Sequence, residues 1–287
     1  MRHSLPMLLA AALLGSAVPA QSAAPARVEA VPFKSTLLGT SLPYQVILPV
    51  DYSASPSTRY PVLYLLHGLS DHAATWIERT NVVEHASAYR LIIVTPEGNN
   101  GWYTDSATVP SERYESYLLE ELVPDVQRRF RTVEEGYARG IAGLSMGGYG
   151  ALKMALKHPD EFAFAASMSG ALNAARYTAK DSGGWDLIEQ SIQRAFGPLE
   201  SPARSANDLF ALLRGIESTG RTPFAYLYLD CGTEDPFVEQ SRAFSALLLE
   251  KQIAHEYHQV PGVHNWELWD QRIREVLAVA AAKLPRR

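Results

Sequence analysis

The residues with the most chemistry in them are Gly143-Leu144-Ser145-Met146-Gly147. A G-x-S-x-G run sets a serine on a sharp strand-to-helix turn, and its glycines remove side chains that would collide where the backbone doubles back. A serine hydroxyl standing clear of a sheet can attack a carbonyl, provided that a base takes its proton and an acid orients the base. The plain alternative is a glycine-rich structural turn. Context argues for the chemical reading: a strand-like apolar run over 137–142 precedes the motif, and a helix-like run over 146–157, closed by Pro159, follows it.

An elbow of this kind expects acid and base later in the chain. Three histidines lie beyond the second half of the sheet. His255 and His258 fall in a strand-like run before Pro261, where a wall or surface role is the ordinary one. His264 follows Pro261-Gly262-Val263 on a loop ahead of a helix-like segment, and placement favours it as the base. The acid is sought in Asp230-Cys231-Gly232-Thr233-Glu234-Asp235, at the end of an apolar run. Asp235 is favoured, because it lies past the Gly232 turn; Glu234 and Asp230 remain alternatives, and a solvated acidic turn is the bland reading. Acyl transfer also needs donors aimed at the oxyanion. The backbone N–H of Met146, next after the serine, and that of Leu69, in His67-Gly68-Leu69 after an early strand, are the expected pair. His67 lacks the second histidine of a zinc helix and is expected to pack beneath that loop. Trp102 and Tyr103 follow Asn99-Asn100-Gly101 on a loop and are expected as pocket wall; Trp76, Trp185, Trp266 and Trp269 are weaker candidates.

These residues need a frame. Residues 28–31 and 44–48 read as an antiparallel pair opening a sheet. The later runs at 62–66, 91–94, 137–142, 162–168 and 224–229 are apolar without alternation, as suits strands of a parallel sheet buried on both faces. Helix-like stretches lie between them at 114–130, 146–157 and 238–252; the first is acidic early and basic late, which complements the helix dipole. Alternating strands and helices imply one α/β domain over 27–285 with a mostly parallel central sheet and helices on both faces. Residues 171–222 interrupt the alternation ahead of the strand that carries the acid. This stretch of about fifty residues, with one helix expected over 208–216, reads as an insertion over the sheet's edge or top.

Composition narrows the partners. Of 287 residues 47% are hydrophobic and 20% charged, an ordinary globular balance. A net charge of -5 leaves no basic excess to neutralise phosphates, so nucleic acid is not an expected partner. One cysteine, Cys231, cannot make an internal disulfide or a cysteine-ligated metal site. Residues 1–20 have a positive start, a short apolar run and a Val18-Pro19-Ala20 end, the pattern of a signal peptide and shorter than a membrane span. Export to the periplasm or beyond is the expectation.

Leu66-His67-Gly68, the run from Gly143 to Ala151 (GLSMGGYGA), Gly232-Thr233-Glu234-Asp235 and Val263-His264-Asn265-Trp266 together resemble the putative esterase family. Thr80-Asn81-Val82-Val83-Glu84 and Asn100-Gly101-Trp102-Tyr103-Thr104-Asp105 are similar to its tributyrin-esterase branch. The resemblance runs over residues 28–284. It implies an α/β-hydrolase with a Ser145, Asp235, His264 triad, no metal and no organic cofactor, acting on short-chain acyl esters, acetyl or feruloyl esters of carbohydrates among them. Acyl transfer to a sugar or lipid acceptor uses the same acyl-enzyme. An S-formylglutathione hydrolase-like thioesterase fits less well, since those relatives are typically intracellular and this chain has a leader. A non-catalytic binding module on the same fold is the reading from another class.

Overall fold

The computed structural model describes residues 26–216 and 225–284. Residues 1–20, expected as a signal peptide, and the end of the insertion, 217–222, lie outside the described residues. In chain order the elements are β1 (Arg27–Val31), β2 (Tyr44–Leu48), β3 (Val62–Leu66), α1 (Thr75–Arg79), α2 (Val82–Ala86) and β4 (Ile92–Thr95). Next come α3 (Tyr114–Ser116), a π-helical turn (Tyr117–Leu122), α4 (Val123–Arg129), β5 (Arg139–Leu144), α5 (Met146–Lys157) and β6 (Phe164–Met168). The chain continues through α6 (Asp186–Phe196), α7 (Pro202–Ala206), α8 (Leu209–Gly215), β7 (Tyr226–Gly232), α9 (Val238–Glu250), β8 (His255–Val260) and α10 (Trp266–Lys283).

The strands form one eight-stranded sheet in the order β1-β2-β4-β3-β5-β6-β7-β8. β1 and β2 pair antiparallel, β2 meets β4 antiparallel, and every pairing from β4 to β8 is parallel. Side chains alternate across a strand, and the apolar residues of the central strands accordingly divide between two layers. Val62, Tyr64 and Leu66 of β3 join Ile141, Tyr149 and Leu152, with α6, α8 and α9 contributing Ile192, Phe196, Phe210 and Phe244. Leu63 and Leu65 join Leu144, Met168 and Tyr228, covered by Trp76 of α1, Val82 of α2 and Trp269, Ile273 and Leu277 of α10. Burial on both faces is why these strands read as unbroken apolar runs. The structure is an α/β-hydrolase fold.

Two expectations need correction. β5 starts at Arg139 rather than 137, because Gly136–Ala138 form a 3-10 turn first. The insertion is a layer of helices on the α5 and α9 face rather than a cover over the sheet's edge or top: α8 packs on both of those helices, and α6 buries Ser191, Ile192, Ala195 and Phe196. α8 occupies 209–215 inside the expected 208–216, with Asp208 capping it by accepting from the N–H groups of Phe210 and Ala211.

Candidate active site

Parallel strands bring the carboxyl ends of β5, β6, β7 and β8 to one side of the sheet, and the candidate residues lie there. Ser145 joins β5 to α5 with φ 51° and ψ -114°, a backbone conformation that non-glycine residues hold only when their surroundings fix it. Its N–H donates to the Met168 carbonyl of β6 at 3.0 Å, and its own carbonyl accepts from Tyr149 and Ala171. The flanking glycines follow from close approach. A Cβ on Gly143 would collide with the Gly147 backbone, and one on Gly147 would sit 2.6 Å from the Leu66 carbonyl oxygen of β3.

His264 Nε2 lies 3.1 Å from Ser145 Oγ, and His264 Nδ1 lies 2.8 Å from Asp235 Oδ2. Asp235 Oδ1 accepts from the Phe237 N–H at 2.8 Å. Burial alone would raise the Asp235 pKa, but His264 and the Phe237 N–H outweigh it and hold the carboxyl below its ordinary range. The imidazole is clamped edge-on between Phe237 and Trp269, with ring centroids 4.9 and 4.8 Å away. Asn265 then caps α10 by accepting from the Leu268 N–H. An imidazole with one nitrogen on a carboxylate and the other on a hydroxyl has its tautomer fixed, so it can withdraw the hydroxyl proton and return it later.

The other candidates have different partners. Glu234 accepts from the Gly262 N–H at 2.8 Å and knits the Asp235 loop to the His264 loop. Asp230 is inside β7, paired with Arg272 at 3.1 Å, and burial pushes its carboxyl up to about 6. His258 pairs with Glu256, and His255 lies between Ser245 Oγ and the Ile253 carbonyl.

Met146 is the first residue of α5, whose N-terminal N–H groups are suited to negative charge. Leu69 comes next to it through Gly68: a Cβ on Gly68 would be 3.7 Å from Ser145 Cβ. His67 Nδ1 lies 2.7 Å from the Gly68 carbonyl oxygen. Because the C=O and N–H of a trans peptide point opposite ways, this contact turns the Leu69 N–H away from His67, and among the described residues that N–H has no acceptor. The other edge of the His67 ring meets the Gly98 N–H at 2.9 Å and Glu97 at 3.2 Å, so His67 supports the loop from beneath.

Trp102 and Tyr103 require correction. They are core residues, 3% and 1% exposed, not pocket wall. Trp102 packs on Tyr149 and Phe196 and donates from Nε1 to Ser191 Oγ, while Tyr103 fills the space left open by Gly98 and Gly150. Both have positive φ, 54° and 49°, which turns the chain inward just after Asn99-Asn100-Gly101. Those three residues instead line a groove of about 710 Å³ between the 99–114 segment and α6. Trp76, Trp266 and Trp269 form an edge-to-face series that ends on His264, and Trp185 is exposed. The sequence reading missed α6 as a groove wall. Its signal was there in the spacing of Ile188, Ile192, Ala195 and Phe196, masked by Gly183-Gly184 before it and Gly197-Pro198 after. Among the described residues no group of three or more His, Cys, Asp or Glu side chains is placed to hold a metal ion, and no helix is long and apolar enough to cross a membrane.

The family model for putative esterases matches residues 35–279, most of the chain. The chain belongs to the putative esterase family. An esterase of Mycobacterium tuberculosis is 32% identical over 253 residues, 81% of this chain and 54% of that protein. The chain thus spans about half the length of these first curated relatives. An acetyl esterase of Caldicellulosiruptor saccharolyticus is 28% identical over 84% of this chain and 93% of its own. Among solved structures, a fluorophosphonate-binding serine hydrolase of Staphylococcus aureus superposes with a TM-score of 0.80 at 26% identity, covering 90% of this chain and 99% of that one.

Proposed function

We propose that this esterase-family protein is a serine carboxylesterase for short-chain acyl esters, with Ser145 as nucleophile, His264 as base and Asp235 as the acid that orients it. The observation that carries the proposal is the continuous Ser145–His264–Asp235 hydrogen-bonded relay. Ser145 Oγ forms a bond to the acyl carbon as its proton passes to His264 Nε2. The carbonyl electrons move onto an oxyanion, which the Leu69 and Met146 N–H groups receive. Collapse breaks the bond to the alkoxy oxygen, and the leaving alcohol takes the proton from His264. Water repeats the sequence on the acyl-enzyme and releases the acid. The acetyl esterase relative and the fluorophosphonate-binding structural neighbour support this reading.

Labelling with a fluorophosphonate, alongside turnover of p-nitrophenyl acetate, butyrate and octanoate, tests it. Stoichiometric labelling of Ser145 and a rate maximum at two to four carbons are expected; an unlabelled protein without turnover returns the non-catalytic reading. Product analysis with added alcohol separates hydrolysis from acyl transfer, and S-formylglutathione in the substrate series tests the thioesterase alternative. Action outside the cytoplasm rests on the leader-like residues 1–20, and N-terminal sequencing of protein recovered from culture fractions tests it.

A further inference from the structure

A backbone N–H serves an oxyanion only if it is aimed before the charge forms, and its aim is set by the two peptide planes that meet at its Cα. For Leu69 both planes are pinned. The one before it is held from beneath, where His67 Nδ1 lies 2.7 Å from the Gly68 carbonyl oxygen. The one after it is held from outside: its N–H belongs to Ser70 and donates to Asn100 Oδ1 at 2.8 Å. Ser70 has φ 68°, a left-handed backbone that a non-glycine residue keeps only when its surroundings fix it. Between the two pins the Leu69 N–H itself has no acceptor among the described residues.

Both pins are anchored in the same short segment after β4. His67 Nε2 meets the Gly98 N–H at 2.9 Å, and Glu97 accepts from the N–H groups of Ala73, Gly98 and Asn99. Asn100 sits in a turn that the Gly101 N–H closes on the Gly98 carbonyl at 3.1 Å, and beside it Asn99 Nδ2 donates to Tyr114 Oη at 2.7 Å. A Cβ on Gly101 would collide with the Tyr114 ring, so the turn lies directly against the start of α3. Residues 97–101 thus fasten the oxyanion loop at three points: Gly98 at His67, Asn100 at Ser70 and Glu97 at Ala73. Without the Asn100 side chain, solvent can satisfy the Ser70 N–H, but a water molecule has no tie to the segment and leaves the plane free to rock. Catalytic geometry tolerates little of this, since a misplacement of about 1 Å can cost about 10²-fold in rate.

We propose that Asn100 is a positioning residue for ester cleavage: by holding the Leu69–Ser70 peptide it keeps the Leu69 N–H on the oxyanion. The proposal rests on the carboxylesterase reading above. Asn100→Ala tests it, because the bond to Ser70 is exposed and its loss leaves the core intact, which melting curves check. On p-nitrophenyl acetate kcat is expected to fall tenfold or more, short of the ~10²–10³-fold cost of removing a donor outright, with KM within twofold of wild type. The second readout is inhibition by an alkyl trifluoromethyl ketone. Ser145 Oγ bonds to its carbonyl carbon, the serine proton passes to His264, and the carbonyl electrons become an oxyanion in the same place. Its inhibition constant should therefore rise by the factor lost from kcat, a proportionality that a residue merely bracing the fold would not produce. If kcat stays within threefold of wild type, the proposal is overturned while the esterase reading stands. A loss carried by KM, with the ketone bound as before, makes Asn100 a substrate contact and also overturns it. A wild-type protein that neither turns over esters nor binds the ketone defeats the esterase reading itself.

Discussion

Helix α5 carries a buried charge cluster on its flank and Ser145, the proposed nucleophile, at its start, and the two are wired differently. On the flank, Lys153 is fully buried, donating to the Tyr103 carbonyl, Thr104 Oγ1 and Glu115. Glu115 in turn receives Lys157 and His158. At the start, Asp235 is just as buried but among the described residues has His264 as its one ion-pair partner, and the far nitrogen of that ring meets a hydroxyl. Both regions meet the cost of burying charge with hydrogen bonds. On the flank every ammonium proton has an acceptor, and the result is a clip that fastens α3, α5 and the 103–104 backbone. At Ser145 the series ends on a hydroxyl, the proposed nucleophile, with a proton of its own to give. Satisfaction of the last group distinguishes a strut from a reactive site.

The sharpest way to break this contrast is at the nucleophile. Ser145→Ala keeps the Cβ and the elbow while removing Oγ, and kcat on p-nitrophenyl acetate is expected to fall by about 10⁴-fold or more; a variant with wild-type turnover would remove Ser145 from the chemistry. Asp235→Asn preserves shape but disturbs the tautomer of His264, with a loss of about 10³–10⁴-fold in kcat and little change in melting temperature. Lys153→Met should do the reverse. It leaves Glu115 with Lys157 and His158 alone and the Tyr103 carbonyl and Thr104 Oγ1 without their buried donor, at a cost of about 1–3 kcal/mol in urea unfolding, while folded molecules keep their kcat.

Acid separates the regions further. Burial opposes the charge on Glu115, but Lys153, His158 and Lys157 prevail and hold its pKa well below the ordinary 4.5. Its contribution to stability is therefore fully present above pH 4.5 and is lost as pH falls toward the depressed value. The stability gap between wild type and Glu115→Gln should narrow as pH drops below 4.5, and urea midpoints at pH 7 and pH 3.5 measure it. Burial lowers Lys153 to about 8 against the pull of Glu115, so its own term improves as pH rises from about 8 toward 10.5. The smallest effect belongs to the exposed Arg194–Glu112 pair: Glu112→Gln should cost no more than about 1 kcal/mol.

How much of this was legible in the sequence depended on range. Strands buried on both faces announce themselves as apolar runs, and 62–66 matched β3 residue for residue. The G-x-S-x-G turn with its following helix was equally plain, because the collisions that demand glycine are between neighbours in the chain. His264 and Asp235 could be ranked by their loops, although only tertiary structure brings them to Ser145. The Lys153 cluster was silent: Lys153 and Lys157 are four apart on a helix with nothing in their spacing to mark burial, while their partner Glu115 lies 38 residues away from Lys153. Trp102 and Tyr103 looked like loop residues, and their left-handed backbone, which turns them into the core, has no signature without glycine.

The edge-on contact between His264 and Trp269 also couples the relay to light. An excited indole passes an electron to a neighbouring imidazolium far more readily than to a neutral imidazole, so Trp269 emission reports the charge on His264. The chain has five tryptophans, and Trp269→Phe would isolate this signal by difference. An indole in edge-on contact with the proposed base thus offers an optical reading of that imidazole, available without substrate and before any bond is broken.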